Sequence, residues 1–359
     1  MLSAYNATCF RYIFGDAHQG MITLEEFTDC IDGYQITDCV ARNRDYFHFV
    51  GRNIKEGEKA GVMSEQKVTK REIGFYNDEP VGQKIGSRDF YNFERTHVGA
   101  ENRREVNSVL FIDSSGQVFS KNSQHKGMEQ PISIGEDGPR RGAIRRVRMI
   151  NGLLYAVGTG HTVCRRRGVN DWESFCFNLP LGSRADHEDE VRSENMAFVD
   201  IDGFSDEDMY VVAGQGVVWN LQGKTWKQIS FPSNMYLESV CCAGDGYVYI
   251  GAQSGTVFRG RGDKWKMIHR GDLTLPFKDM VWHAGQLWCT NDYGLWTLSS
   301  DDIRRVEEIP SEIMVCAGNL SAADGVMLMA GTNGAAFHDG EKWQLIFNYY
   351  QMEQQLAGQ

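Results

Sequence analysis

The sequence lacks the short motifs that carry most enzymatic chemistry. It contains no Gly-x-Ser-x-Gly nucleophile elbow, no His-Glu-x-x-His zinc motif, no phosphate-binding P-loop and no dinucleotide-binding glycine fingerprint. The one dense group of potential metal ligands is the run Asp186-His187-Glu188-Asp189-Glu190. Consecutive residues on one loop seldom form a preorganised metal site. We therefore predict no catalytic residue, no bound metal and no cofactor.

Cysteine motifs and targeting segments are also missing. The nine cysteines show no C-x-x-C spacing, and the adjacent Cys241 and Cys242 would point to opposite faces of a strand. Cys164 and Cys176 could face each other across a hairpin, but buried thiols in a reducing compartment fit the pattern better. The N-terminus has no basic segment followed by an apolar core, and no run of about 18 apolar residues occurs. These features predict a cytoplasmic protein with no membrane partner.

The sequence has fewer basic than acidic residues. Against 48 Asp and Glu residues the chain has 37 Lys and Arg residues, which gives a formal net charge of −11. This balance disfavours nucleic acids and anionic membranes as partners and favours a basic protein, although acidic charge also serves solubility alone. The hydrophobic content of 42% is ample for a buried core and excludes disorder as a description of the whole chain.

The stretch from residue 238 to residue 270 shows the strand pattern most clearly. Apolar and β-branched residues occur in short runs that glycine-containing turns separate, which is typical of a four-stranded antiparallel meander. The central glycine of this stretch, Gly255, has counterparts at Gly216, Gly294 and Gly334. A repeat of about 40 residues with four strands per unit is the signature of a β-propeller blade.

The number of repeats predicts the fold class and the domain boundaries. We expect an all-β chain that forms a single β-propeller of seven four-stranded blades, with six blades as the alternative if residues 37–135 form one distorted blade. The propeller occupies residues 37–350, after an N-terminal segment, 1–36, that we expect to supply a ring-closing strand. A C-terminal tail, 351–359, follows. An acidic insertion, 178–195, lengthens one connection between blades.

Three Gly-x-x-Trp sequences recur at one position of the repeat and end at Trp226, Trp265 and Trp343. A glycine allows a tight hairpin into the outermost strand of a blade. The tryptophan that follows can then cover the gap between adjacent blades. We therefore interpret these sequences as packing features.

In its period and strand pattern, the region 37–347 resembles the broad group of WD-repeat-like and neuraminidase-like propellers. The Gly-His and Trp-Asp ends of true WD repeats are absent, as is the Ser-x-Asp-x-Gly-x-x-Trp aspartate box of sialidases. An acidic propeller without catalytic motifs is also similar to bacterial immunity proteins that neutralise toxin domains, as in polymorphic or type VI secretion systems. This resemblance implies a non-enzymatic protein that occludes one protein partner, a basic, nuclease-like toxin domain. We expect it to be a monomer when free.

Strand direction predicts where such a partner binds. In a propeller, the connections between blades and the turns between second and third strands open on the same face, around the mouth of the central channel. This rule places the following candidate partner-binding residues on one rim: Asp186, His187, Glu188, Asp189, Glu190, Gln253, Asp292, Tyr293 and Asn333. The acidic run among them presents carboxylates that suit a basic partner.

Two other functions stay open at the level of sequence. A propeller hydrolase or lyase acting on a carbohydrate or lactone would use channel-mouth residues such as Asp279, His283 and Asp292. A generic scaffold subunit would need none of them. The arginine-rich segments 140–148 and 165–167 lack interleaved exposed aromatic residues, so we expect pairing with the acidic insertion rather than nucleic-acid binding.

Overall fold

The structure is a computed structural model, and it describes residues 20–60, 62–103, 106–299 and 301–358. Over these ranges the chain forms seven sheets, each built from four consecutive antiparallel strands. The predicted all-β propeller with seven blades is therefore confirmed, and the six-bladed alternative is wrong. Residues 37–135 contain two separate sheets rather than one distorted blade.

The first three blades follow one another along the chain. Blade 1 consists of β1 (Tyr34–Ala41), β2 (Tyr46–Asn53), β3 (Lys70–Tyr76) and β4 (Ile85–Phe90). Blade 2 consists of β5 (Thr96–Arg103), β6 (Val106–Asp113), β7 (Val118–Lys121) and β8 (Lys126–Met128). Blade 3 consists of β9 (Ile144–Ile150), β10 (Leu153–Gly158), β11 (Thr162–Gly168) and β12 (Asp171–Ser174).

The remaining four blades have the same strand order. Blade 4 consists of β13 (Phe198–Ser205), β14 (Asp208–Ala213), β15 (Val217–Gln222) and β16 (Thr225–Ile229). Blade 5 consists of β17 (Leu237–Cys242), β18 (Val248–Ala252), β19 (Val257–Arg261) and β20 (Lys264–His269). Blade 6 consists of β21 (Asp279–His283), β22 (Gln286–Asn291), β23 (Gly294–Ser299) and β24 (Asp302–Arg305). Blade 7 consists of β25 (Asn319–Ala323), β26 (Val326–Gly331), β27 (Gly334–His338) and β28 (Trp343–Asn348).

The first strand of each blade lines the centre of a closed ring. The first strands contact one another in sequence order, and β25 of blade 7 contacts β1 of blade 1. The second strands are the most buried; β18 and β26 have no exposed residue. This burial explains why their uninterrupted apolar runs carry the clearest strand signal in the sequence.

The core is divided among the blade interfaces. In the described ranges seven apolar clusters occur, one between each pair of neighbouring blades. Because every blade buries both of its faces, each fully buried aliphatic or aromatic side chain stabilises the fold by about 1.5–3 kcal/mol. The ring is therefore rigid, and the loops at its two ends are held by well-packed strands.

The Gly-x-x-Trp sequences lie where the repeat predicts them, at the hairpins into the outermost strands β16, β20 and β28. Gly223 and Gly262 adopt positive φ values of 63° and 55°, which favour glycine. Each tryptophan packs against the preceding blade: Trp226 with Phe175, Trp265 with Tyr210, and Trp343 with Trp288. The packing interpretation is confirmed.

Two helices from the ends of the chain cover the seam between blades 7 and 1. Helix α1 (Leu24–Cys30) begins at a capping box formed by Thr23 and Glu26. Phe27 of this helix is fully buried, and its ring meets the Tyr349 ring edge-on at a centroid distance of 5.1 Å. Tyr349 begins a C-terminal helix (Tyr349–Ala357), so most of the segment expected to be a tail is a docked helix.

The predicted ring-closing strand within residues 1–36 stays a prediction, because residues 1–19 lie outside the described ranges. In the described part of this segment, the backbone N–H of Met21 donates to the Ile346 carbonyl of β28 at 2.9 Å. The contact joins the beginning of the described chain to the outer edge of blade 7.

Other helices lie in the loops. Helix α2 (Ile54–Ala60) and a 3-10 helix (Val62–Lys67) fill the long connection between β2 and β3. The acidic insertion contains α3 (Arg184–Glu188) and α4 (Glu190–Asn195). Helix α5 (Ser311–Met314) precedes blade 7, and the C-terminal helix is α6 (Tyr349–Ala357). None of the helices in the described ranges is long and apolar enough to cross a membrane.

Candidate functional site

The alternating strand direction gives the propeller two different faces. The connections between blades and the turns from second to third strands lie on one face, which we call the loop face. The turns from first to second and from third to fourth strands lie on the opposite face, the hairpin face. All nine predicted partner-binding residues lie on the loop face, in the connection between blades 3 and 4 and in the second-to-third turns of blades 5, 6 and 7. Their role in binding stays a prediction.

The acidic insertion folds into a pair of short helices, α3 and α4, which we call the acidic helix pair. Ser183 and Asp186 form a capping box at the start of α3, and Asp189 caps α4 by accepting a hydrogen bond from the Arg192 backbone N–H. Gly182 lies so close to Met196 that a Cβ atom would be only 2.7 Å from the methionine Sδ. A side chain at 182 would therefore require the Met196 and His187 side chains to move.

Two arginines partly offset the charge of the acidic helix pair. Arg184 pairs with Glu188 at 2.7 Å, and Arg192 pairs with Asp186 at 3.2 Å. Hydrogen bonds from Ser183 hold the pKa of Asp186 below its ordinary value. Both pairs are exposed and therefore weak. Since five acidic residues and two arginines lie between positions 184 and 194, the helix pair keeps a net negative charge.

The expected pairing of the arginine-rich segment with this insertion is found for one residue. Arg145 makes a bidentate contact with Glu194, with both N–O distances at 3.0 Å. Arg141 contacts the insertion only by donating to the Leu179 carbonyl at 3.0 Å. Ion pairs with carboxylates of the propeller are made by Arg146, Arg148, Arg165 and Arg166. The guanidinium of Arg166 is buried and donates to Glu129 and Glu101, so these charges join blades 2 and 3.

A second feature of the loop face lies beside the acidic helix pair, where blade 4 meets blade 5. Tyr236 is 40% exposed, yet its backbone N–H donates to Gln253 Oε1 at 3.2 Å and its carbonyl accepts from the Gln253 N–H at 2.8 Å. The Gln215 side-chain amide donates to the Tyr236 hydroxyl at 3.3 Å. We call Gln215, Tyr236 and Gln253 the tyrosine platform.

The sequence analysis named only one of the three platform residues, Gln253. Tyr236 immediately precedes the first strand of blade 5, and Gln215 lies in the second-to-third turn of blade 4. The rule that located the other rim residues applies to both positions. Their contact, however, depends on the way blades 4 and 5 meet in the ring.

The other predicted rim residues lie further around the ring. Tyr293 is exposed, and its carbonyl accepts a hydrogen bond from Arg305 at 3.1 Å. Asp292 is exposed beside it in the same turn of blade 6. The carbonyl of Asn333 accepts from the Tyr349 N–H at the start of α6. These residues belong to blades 6 and 7, away from the acidic helix pair.

Ion pairs lie in the central channel. Strand register places one residue of each first strand at the same level, in blade order Asp38, His97, Arg146, Asp200, Ser239, Asp279 and Asn319. Arg148 donates to both oxygens of Asp200 at 2.9 and 3.0 Å and to Asp279 at 2.7 Å. Although burial alone would lower it, the pKa of Arg148 is held well above its ordinary value by these two carboxylates. The cluster links blades 3, 4 and 6 across the channel.

Aspartates of the same ring also join neighbouring blades. Asp200 accepts from the Val240 backbone N–H at 3.0 Å, and Asp279 accepts from the Leu320 backbone N–H at 3.1 Å. A third channel aspartate is Asp202, and burial raises its pKa to about 6. A cavity of about 170 Å³ remains in the channel, lined by residues of all seven blades. The channel charges therefore serve the cohesion of the ring.

The three residues named for an enzymatic alternative do not form a site. Asp279 is committed to the channel ion pairs. His283 lies at the other end of β21, about 13 Å along the strand, and its Nε2 is 2.9 Å from His338 Nδ1. Burial lowers the pKa of His283 to about 4. Asp292 is exposed on the loop face.

Metal binding finds no support in the described ranges, where no group of three or more His, Cys, Asp or Glu side chains could hold an ion. The eight cysteines of the described part are free, and all but Cys242 are buried. Cys164 and Cys176, which could have faced each other across a hairpin, are both free thiols in the core.

Comparison with solved structures places the chain among β-propellers. The WD40 repeats of RRP9 match 87% of this chain and 91% of their own, with a TM-score of 0.54 and 12% identity. The WD40 propeller domain of Doa1 matches 84% of this chain and 91% of its own, at a TM-score of 0.53 and 11% identity. YCF48 from Cyanidioschyzon merolae gives a TM-score of 0.54 at 10% identity and matches 85% of this chain and 95% of its own. These similarities define a WD40-like propeller fold.

A curated relative defines the family. Immune protein Tsi7 of Pseudomonas aeruginosa is 33% identical over 244 residues, which are 67% of this chain and 76% of the relative. No model of a protein family matches the sequence. The chain therefore belongs to the family of Immune protein Tsi7, which agrees with the resemblance to immunity proteins inferred from the sequence.

Proposed function

We propose that the protein is an immunity protein that binds a cognate toxin domain through its loop face and occludes the active cleft of the toxin, without catalysing a reaction. The observation that carries this proposal is the 33% identity to Immune protein Tsi7 over 244 residues. The architecture supports it, because a rigid ring presents loops from seven blades without paying for their ordering on binding. The separation of Asp279, His283 and Asp292 gives the enzymatic alternative no comparable support.

The charge of the chain supports a basic toxin. The net charge is −11, and the acidic helix pair projects carboxylates from the loop face. A nuclease binds phosphate through a basic cleft, so a surface of carboxylates can occupy that cleft in place of its substrate. We therefore propose a nuclease-like toxin, delivered by a type VI or related secretion system.

The free cysteines of the described part, most of them buried, are typical of proteins from a reducing compartment. We propose that the protein acts in the cytoplasm, where it is monomeric until it binds one toxin domain. Because both partners would be folded before they meet, the complex would form with little change in the propeller.

The direct test is protection from a toxin. Toxin domains encoded beside this gene are expressed from an inducible promoter in a bacterial host, with or without the wild-type chain. We expect one domain to stop growth alone and to permit growth when the chain is present. Titration calorimetry of that purified domain should give a one-to-one complex, and intact chromosomal DNA in the protected cells would identify a nuclease. Failure of every domain to be neutralised would contradict the proposal.

Charge neutralisation tests the acidic helix pair. We expect the double variant Glu188→Gln, Glu190→Gln to slow association with the toxin and to reduce its dependence on salt, because rim charges act mainly on the encounter rate. The double variant Glu207→Gln, Asp263→Asn is the matched control, since both residues are exposed in turns of the hairpin face, between β13 and β14 and between β19 and β20. Equal effects of the two changes would place the acidic helix pair outside the interface.

A further inference from the structure

The tyrosine platform has the features of an energetic hot spot. The Gln253 contacts fix the backbone of Tyr236, and the Gln215 amide orients the ring by donating to its hydroxyl at 3.3 Å. An aromatic ring that is fixed before binding loses little conformational entropy when a partner covers it. Tyrosine is among the residues that most often carry binding energy in interfaces.

The loop segments that form the platform are themselves uncharged, and the exposed Arg270 and Asp272 flank segment 253–256, where the Gly271 N–H donates to Thr256 Oγ1 at 3.2 Å. The three loop segments, 214–216, 230–236 and 253–256, contain no Lys, Arg, Asp or Glu. Interface cores are depleted of charged residues, while charges collect at the rim. The composition around Tyr236 therefore fits the centre of an interface.

The acidic helix pair forms the border of this centre. The Gln215 backbone N–H donates to Asn195 Oδ1 at 2.8 Å, and Asn195 is the last residue of α4. Glu190 begins the same helix, about 7–8 Å away along its axis. A partner that covers the Tyr236 ring therefore also meets a negative edge.

The chemistry of the platform selects a cationic side chain. The face of a tyrosine ring attracts an ammonium or a guanidinium, and the guanidinium stacks better because it is planar and more weakly hydrated. The Tyr236 hydroxyl accepts from Gln215, so its own proton is available to a partner. The Gln253 side-chain oxygen is engaged with the Tyr236 N–H, which leaves its amide group free to donate.

We propose that the tyrosine platform is the anchor of the toxin complex and receives an arginine side chain of the toxin, stacked on the Tyr236 ring, while neighbouring basic residues of the toxin face the acidic helix pair. This inference rests on the proposed function and adds to it the centre of the interface and the chemistry of the group that binds there.

The first test removes the aromatic ring of Tyr236. Its probe is the toxin domain that the wild-type chain neutralises. We expect Tyr236→Ala to raise the dissociation constant at least tenfold, as for a hot-spot residue. Tyr236→Phe keeps the ring and should stay within about threefold of wild type, whereas Tyr236→Leu keeps apolar area without the ring and should resemble Tyr236→Ala. Tyr247→Ala is the matched control, because Tyr247 is 46% exposed on the hairpin face of the same blade.

A pair of charge changes at Gln253 provides a second test that does not depend on removing the ring. Gln253 is exposed, so neither Gln253→Lys nor Gln253→Glu should move the thermal midpoint much. Because lysine also removes the oxygen that accepts from the Tyr236 N–H, Gln253→Met, which removes it without adding charge, is the control and should stay within about threefold of wild type. We expect the lysine to repel the incoming cation and raise the dissociation constant at least tenfold, and we expect the glutamate to bind as tightly as wild type or more tightly.

The outcomes separate the inference from the proposed function. If the wild-type chain neutralises a toxin and Tyr236→Ala and Gln253→Lys bind it as tightly, the platform is not the anchor, although the protein is still an immunity protein. Equal losses for Gln253→Lys and Gln253→Glu would refute the cationic partner. If no toxin is neutralised by the wild-type chain, the proposed function and this inference both fall.

Discussion

Replacement of Arg148 by methionine should lower the free energy of unfolding of the whole propeller. The side chain makes three hydrogen bonds, to Asp200 and Asp279, which are 0% and 1% exposed. Methionine fills a similar volume but leaves both carboxylates without their strongest partner. Arg146 is still present, at 3.6 Å from Asp200 and 3.2 Å from Asp279, and it compensates only in part.

The expected loss is about 3–5 kcal/mol, the usual result of removing one partner from a buried ion pair. That is a large share of the roughly 5–15 kcal/mol by which folded proteins are stable. With a urea m-value of about 3 kcal/mol/M, the unfolding midpoint should fall by about 1–1.7 M. Tryptophan fluorescence during equilibrium unfolding in urea measures this shift.

Two further variants decide whether the channel charges are responsible. Arg184→Met breaks the Arg184–Glu188 pair, whose side chains are 92% and 63% exposed, and should change stability by less than about 0.5 kcal/mol. Adding Asp200→Asn to Arg148→Met removes the excess carboxylate while Arg146 still pairs with Asp279 at 3.2 Å, and should recover at least half of the loss. A loss below about 1 kcal/mol for Arg148→Met alone would refute this account of the channel.

Three other predictions concern the fold. Trp226→Ala removes an indole ring that is 1% exposed and donates a hydrogen bond to the Phe175 carbonyl. In the same urea assay, the free energy of unfolding should fall by about 3–5 kcal/mol, which is more than for Trp343→Ala, because Trp343 is only partly buried. Burial raises the pKa of Asp202 to about 6 in the folded state, so the folded state binds this proton more tightly than the unfolded state and stability falls as the pH rises from about 4 to 6. The variant Asp202→Asn should lose this part of the pH dependence, which thermal unfolding at pH 4 and pH 7 measures. Phe27→Ala should open the seam beside α1 and raise amide hydrogen exchange in blades 1 and 7 more than in blade 4.

Strand periodicity explains why so much of the fold could be predicted. Each blade repeats a second strand that is buried on both faces, and such strands appear in the sequence as short apolar runs between glycine turns. Two of the turn glycines that mark the period, Gly216 and Gly255, have φ values of 71° and 76°, a backbone that few other residues adopt. The outermost strands are partly exposed and short, so the tryptophans rather than the strand pattern locate them.

The candidate site was only partly predictable. The faces follow from strand direction alone, so the loop-face positions of Asp186 and Gln253 could be inferred from the sequence. The tyrosine platform could not, because Gln215 and Tyr236 are 21 residues apart and meet only where two blades pack. The partners of the arginine-rich segment could not be predicted either, because its sequence neighbours do not show which residues it contacts across the channel.

Local sequence determined the elements of this protein, namely the four-strand repeat, the seven blades and the face on which each loop lies, because hydrophobic period and glycine turns act over a few residues. Ring closure decided the rest. It brought Arg148 to Asp200 and Asp279, which are 52 and 131 residues away, sealed blades 7 and 1 with helices from the two ends of the chain, and placed the acidic helix pair beside Tyr236. These contacts join residues that are far apart in sequence, and they form only when the blades are arranged around one axis. No local sequence pattern predicts them.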